Sequence, residues 1–270
     1  MGVTRRKCLL GLACLVVSGC ATVTVGHSVP APGLRQELDE GSAAWFFNAT
    51  SALTLSYDQQ AMLLKLSQTV RAESEHVQVA RRELLGLVVD GIASGMFDDP
   101  RIAAQIQTVL AAAEARGPAI VRALTQLHDG LTPTERQSVA STISQELNGQ
   151  ASQAKTEREQ LLQRVTGLTD GIGLTAAQAE QIRSTITDSF HSYAPDLQEE
   201  AARRRKQLGG LAQGFAALYF EPVEANVTTA WDLEGKSQRL VAFGRALTPI
   251  LTPAQRQQVA SRIRQRNSID

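Results

Sequence analysis

The sequence has only three cysteines, Cys8, Cys14 and Cys20, and all lie within its first twenty positions. Beyond Cys20 there is no thiol for a disulfide, a covalent nucleophile or a zinc site. Aromatic residues make up 4% of the chain and histidines number four. His27, His76, His128 and His191 show no i, i+4 pair of the kind that holds a metal on one helix face, so no cofactor is expected, and His76, His128 and His191 read as solvated helix positions. Charge of one sign is also missing, with 27 basic against 27 acidic residues. Such a balance gives no support to nucleic-acid binding. Period-two alternation and paired turn signals are absent, which argues against a sheet. No glycine-rich phosphate loop follows a strand, and Ser, His and Asp occur without a nucleophile motif. The chain is therefore read as a binding protein and not an enzyme.

The N-terminus opens with Arg5, Arg6 and Lys7, followed by an apolar run from Cys8 to Val17. That run is too short to span a bilayer as a helix, and a basic start before it describes an export signal. Val17-Ser18-Gly19-Cys20 resembles the bacterial lipobox. The resemblance implies a signal peptide over 1–19, acylation of Cys20 and, with Ala21 after it, sorting to the outer membrane. Thr4-Arg5-Arg6 is also similar to a twin-arginine signal, though Cys8 and Leu9 fit that pattern poorly. Taking Arg5, Arg6 and Lys7 from the 27 basic residues leaves 24 against 27 acidic ones in the mature chain. Residues 20–42 contain Gly26, Pro30, Pro32 and Gly33 and read as a flexible tether.

What the chain does have is a repeated helix start. Leu251-Thr252-Pro253-Ala254-Gln255 recurs as Leu131-Thr132-Pro133-Thr134-Glu135. Looser copies are Leu174-Thr175-Ala176-Ala177-Gln178 and Leu55-Ser56-Tyr57-Asp58-Gln59. In each, a Ser or Thr oxygen can accept from the first-turn amides, and the Gln or Glu three positions on can reach back to the cap amide. Ten of fifteen positions match between 131–145 and 251–265. Leu85-Gly86, Gly91 and Phe97-Asp98 line up with Leu208-Gly209, Gly214 and Phe220-Glu221. The offsets are 119, 120 and 123 residues, so the chain carries a duplicated unit, 43–150 and 151–270.

The pattern within each unit is helical throughout. In the first, one helix is expected from Ser56 past Val70, a second from Glu75 to Gly95, and a long third opened by Asp98-Asp99-Pro100 and kinked at Gly117-Pro118. A fourth is expected from Thr132. In the second unit the starts are Thr175, Pro195, Glu221-Pro222 and Thr252, with a linking helix over Ala154 to Val165. Trp45-Phe46-Phe47 is read as core or as an exposed apolar contact. Glu199-Glu200 followed by Arg203-Arg204-Arg205-Lys206 reads as a solvated face with i, i+4 pairing.

Two Leu-Thr-x-x-Gln boxes about 76 residues apart, bracketing a Phe-Asp start to a long helix, resemble the Spy/CpxP family. The resemblance covers 55–147 and again 174–266. It implies an all-α fold of two tandem four-helix units forming an intramolecular pseudo-dimer, where family members pair as separate chains. It further implies a periplasmic, ATP-independent chaperone that binds unfolded or extended polypeptide as a monomer held to the membrane by its lipid. The alternatives are an envelope- or metal-stress component that restrains a sensor, and a structural envelope lipoprotein. The residues expected at a client surface are Arg81, Arg82, Arg203, Arg204 and Trp45.

Overall fold

The computed structural model describes residues 42–149, 169–223 and 230–267, with 163, 166 and 167 between them. The signal, the lipobox, the tether and most of the expected linking helix lie outside these residues. Among the described residues the fold is all-α, with eight α-helices, 86% helix and no strand. The helices are α1 (Ser42–Thr50), α2 (Tyr57–Ser94), α3 (Asp99–Ala115), α4 (Gly117–Gly130), α5 (Pro133–Gly149), α6 (Ala176–Ala216), α7 (Ala230–Leu247) and α8 (Pro253–Asn267). A 3-10 turn, Thr248–Ile250, joins α7 to α8.

All four helix starts marked by the repeated box form. Ser56 and Thr175 make complete capping boxes with Gln59 and Gln178. The Thr132 amide donates to the Glu135 carboxylate at 2.8 Å, and the Glu135 amide to the Thr132 hydroxyl at 3.3 Å. Thr252 and Gln255 repeat that exchange at 2.9 and 3.4 Å. Asp98 caps α3 through the Arg101 amide at 3.1 Å.

Two expected boundaries are not there. The first two helices of unit one are a single helix of 38 residues, α2, and those of unit two a single helix of 41 residues, α6. The polar stretch between Val70 and Val77 looked like a connection because it lies between two cores. Val70 is buried in one and Val77 in the other, with exposed Arg71, Ala72, Glu73, Glu75 and His76 between them. In α6 the helix runs through Pro195, forgoing the one backbone bond that proline cannot donate. The third helix of unit one departs the other way. Its expected kink is a break at Arg116, which separates α3 from α4. In unit two, 221–223 are non-helical and the described helix begins at Ala230, not at Pro222.

The long helices connect two hydrophobic cores, and each core draws on both halves of the sequence. Core A holds α1, the first half of α2, α4, α5 and the far end of α6, from Phe46 and Leu63 through Leu124 and Ile143 to Phe215 and Phe220. Core B holds the second half of α2, α3, the start of α6, α7 and α8, from Leu84 and Val109 through Ile182 and Ile186 to Val259 and Ile263. Thus α5 packs on α6, and α8 packs on α2. Each terminal helix of one unit lies along the long helix of the other. The repeat is visible in small contacts too. A Cβ added at Gly91 would lie 2.5 Å from the Phe97 ring, and one at Gly214 would lie 3.5 Å from Phe220, so the same glycine seats the same phenylalanine in both halves.

Candidate functional site

The boxes singled out by the sequence come together in pairs. The Gln59 side-chain amide donates to the Gly130 carbonyl at 3.1 Å and to the Glu135 carboxylate at 2.9 Å. In the other half, the Gln178 amide donates to the Ile250 carbonyl at 2.8 Å and to Gln255 Oε1 at 2.9 Å, and Gln255 donates to the Gly173 carbonyl at 2.9 Å. The motif glutamine therefore does two things at once. Its oxygen closes its own capping box, and its NH2 ties the start of the long helix to the turn before the last helix of its unit. Each clasp sits on a core: Leu131 is buried in core A, and Leu251 in core B. These residues are structural ties.

Glu135 replaces a glutamine in one clasp and so makes it titratable. Partial burial pushes its carboxyl upward. Hydrogen bonds from the Thr132 amide, the Thr132 hydroxyl and Gln59 outweigh that and hold it below the ordinary value.

The five residues expected at a client surface are distributed as follows. Arg82 is exposed. Arg203 is exposed and paired with Glu199 at 2.8 Å, as the i, i+4 spacing implied. Arg81 is buried, 6% exposed. It stands in register with Val77, Leu84 and Val88, at steps of four, three and four, so the helical period already marked it as inward-facing. Arg204 donates to Asp232 at 2.5 Å, and Asp232 also meets Lys236 at 2.8 Å. Trp45 is partly buried and packs against core A, while Phe46 and Phe47 are buried within it.

Sequence reasoning missed the polar seam between α6 and α7. Glu200 was assigned to the solvated face, yet it accepts a two-pronged interaction from Arg239 at 2.7 and 2.9 Å. Asp232 is 5% exposed. Burial pushes its carboxyl up, but Lys236 and Arg204 and their hydrogen bonds prevail and lower it. No local signal pairs residues 39 positions apart, so the seam was out of reach of spacing rules.

His128 also differs from expectation. It is buried, not solvated, with its Nε2 3.0 Å from the Ala217 carbonyl and its Nδ1 2.9 Å from Asp129. Its ring stacks on Phe220 at 5.3 Å and meets Phe215 edge-on at 5.5 Å. It thus joins an aromatic group completed by Phe46, 4.9 Å from Phe215. His76 is exposed as expected, and the side chain of His191 lies outside the described residues.

Among the described residues no three His, Cys, Asp or Glu side chains converge as a metal site. Among them, too, no helix is long and apolar enough to cross a membrane. No protein-family model, curated protein or solved structure matches this chain.

Proposed function

We propose that this chain is a lipid-anchored periplasmic protein that binds extended or unfolded polypeptide without nucleotide, built as two Spy/CpxP-like units paired within one chain. The observation that carries this reading is the reciprocal packing of α5 on α6 and of α8 on α2. It gives one chain the antiparallel partnership that the family resemblance implies for two. The long helices offer mixed surface between and beside the cores. On α2, Tyr57, Leu64 and Val79 are exposed apolar residues, and the exposed cation Arg82 follows Val79 by three positions; on α6, Arg203, Arg205 and Lys206 are exposed. Such a surface suits many weak contacts, apolar and electrostatic, to a chain of no fixed sequence. The reading is tested by light scattering of an unrelated, chemically denatured protein diluted into buffer without ATP. Near-equimolar amounts of the mature chain are expected to suppress aggregation, and Arg82→Glu with Arg203→Glu to weaken the effect. Undiminished aggregation at several-fold excess would refute it.

A further inference from the structure

Each long helix ends on an exposed large apolar side chain next to an inward-turned phenylalanine. After α2 this is Met96, 77% exposed, before Phe97; after α6 it is Tyr219, 84% exposed, before Phe220. The second tip is larger. Leu218 is 69% exposed and Val223 55%, so three apolar residues face outward within the segment 217–223. Phe220 anchors that segment from below, 8% exposed and 5.2 Å from Phe215. Three exposed apolar side chains within seven residues, on a non-helical segment held by a buried ring, form a surface suited to an apolar partner.

Position supplies the partner. Phe215 is 4.9 Å from Phe46 of α1, and Phe46 lies four residues, about 6 Å of helix, from Ser42, where the stretch leading from Cys20 enters the fold. Cys20 and Ser42 are 22 positions apart, a length that spans at most about 75 Å. Acylation of Cys20 would therefore attach the body to the bilayer through its core A end, the end that carries the 217–223 segment. Met96 sits at the other end of α2, a helix of 38 residues and so about 57 Å long. We infer that Leu218, Tyr219 and Val223 insert into the phospholipid bilayer to which the N-terminus is anchored, fixing the orientation of the helical body on the membrane. The inference rests on the reading of Cys20 as a lipid attachment site. A tyrosine between aliphatic residues suits the interfacial layer, where the ring is buried and the hydroxyl stays wet. Glu221, exposed in the same segment, gives anionic headgroups nothing to attract, so insertion is apolar and insensitive to salt. Anchoring makes even a weak insertion count, because the segment meets the bilayer at about millimolar effective concentration.

The acylated sulfur of Cys20 leaves the mature chain without a free thiol, so Tyr219→Cys provides a unique site for a nitroxide label. The lipidated full chain is placed in vesicles of phosphatidylethanolamine and phosphatidylglycerol, and label accessibility to oxygen and to a water-soluble nickel chelate is read. The label at 219 is expected to gain oxygen and lose nickel accessibility several-fold, with no change on adding salt. A label at Met96→Cys stays open to nickel. Equal nickel accessibility at the two positions overturns the inference, and so does protection at 219 without vesicles, which would indicate self-association. If mass measurement finds no acyl group, the anchor reading fails separately. The same labels are then read on the unanchored chain, Cys20→Ser, with excess vesicles, and protection at 219 supports insertion while exposure overturns it. In that unanchored form Leu218→Ser should lower vesicle partitioning about tenfold, the loss of one apolar side chain; an unchanged partition overturns the inference.

Discussion

Phe215 belongs to the second half of the sequence and is buried among residues of the first, so Phe215→Ala asks whether the halves are one folding unit. Its side chain is fully buried. Truncating a buried phenylalanine costs about 3–5 kcal/mol. The ring also faces Phe46, Phe220 and His128 at 4.9, 5.2 and 5.5 Å, and aromatic pairs add about 0.5–1.5 kcal/mol each, not additively. We expect about 4 kcal/mol. In a chain of this size that lowers the melting temperature by about 8–16 °C. Trp45 packs against the same core, so its fluorescence follows the loss during denaturant titration. The decisive readout is amide hydrogen exchange in α5, which belongs to the other half. Exchange there should accelerate as much as in the C-terminal turns of α6. A cost below about 1 kcal/mol, or acceleration confined to residues after 174, would refute the shared core.

Gln178→Ala removes both the reach-back of a capping box and the bonds to Ile250 and Gln255. It should cost about 1–2 kcal/mol by denaturant titration, against almost nothing for the neighbouring surface change Gln181→Ala. Asp232→Asn leaves Arg204 and Lys236 facing each other without their acid. Their side chains are 32% and 21% exposed, so we expect about 3 kcal/mol, the low end for a buried pair broken on one side. The carboxyls of Asp232 and Glu135 are lowered in the folded state. Their stabilisation is therefore complete above the ordinary carboxyl range and lost as pH falls through the lowered folded values. Acid unfolding followed by circular dichroism should be less steep in Asp232→Asn, and an unchanged slope would count against the seam. Gly95 has φ 85°, and an added Cβ would also press on Arg256, whereas Gly173 has φ 70° with open space around it. Both changes force a Cβ into the left-handed region, so Gly95→Ala and Gly173→Ala should each cost about 1–2 kcal/mol by denaturant titration, the mobile end of the Arg256 side chain giving way at little cost; no loss at either position would refute the left-handed turns.

Helix starts were legible because a capping box is local. Ser56, Thr132, Thr175 and Thr252 each satisfy amides within three residues, and every one forms. The repeat was legible because matching residues keep a near-constant offset of 119 to 123 positions, and Gly91 with Phe97 and Gly214 with Phe220 make the corresponding contact. Helix continuity was not legible. The polar run between Val70 and Val77 separates two buried faces of one rod, and its composition is that of a loop. Pro195 misled for a related reason, since a proline that opens a helix and one tolerated inside it look alike in sequence. Arg81 could have been found by counting its register with Val77 and Leu84. Glu200 with Arg239, and His128 with Ala217, could not, because their partners lie far along the chain, the first on the next helix of the same half and the second in the other half.

That exchange is measured most directly by cutting the chain. A protease site placed between residues 150 and 162 divides the protein into two pieces without touching a described helix. After cleavage, native mass spectrometry should find the pieces as one noncovalent complex with unchanged helicity, because α5 remains on α6 and α8 on α2. Two separate pieces, each folded by itself, would contradict the account.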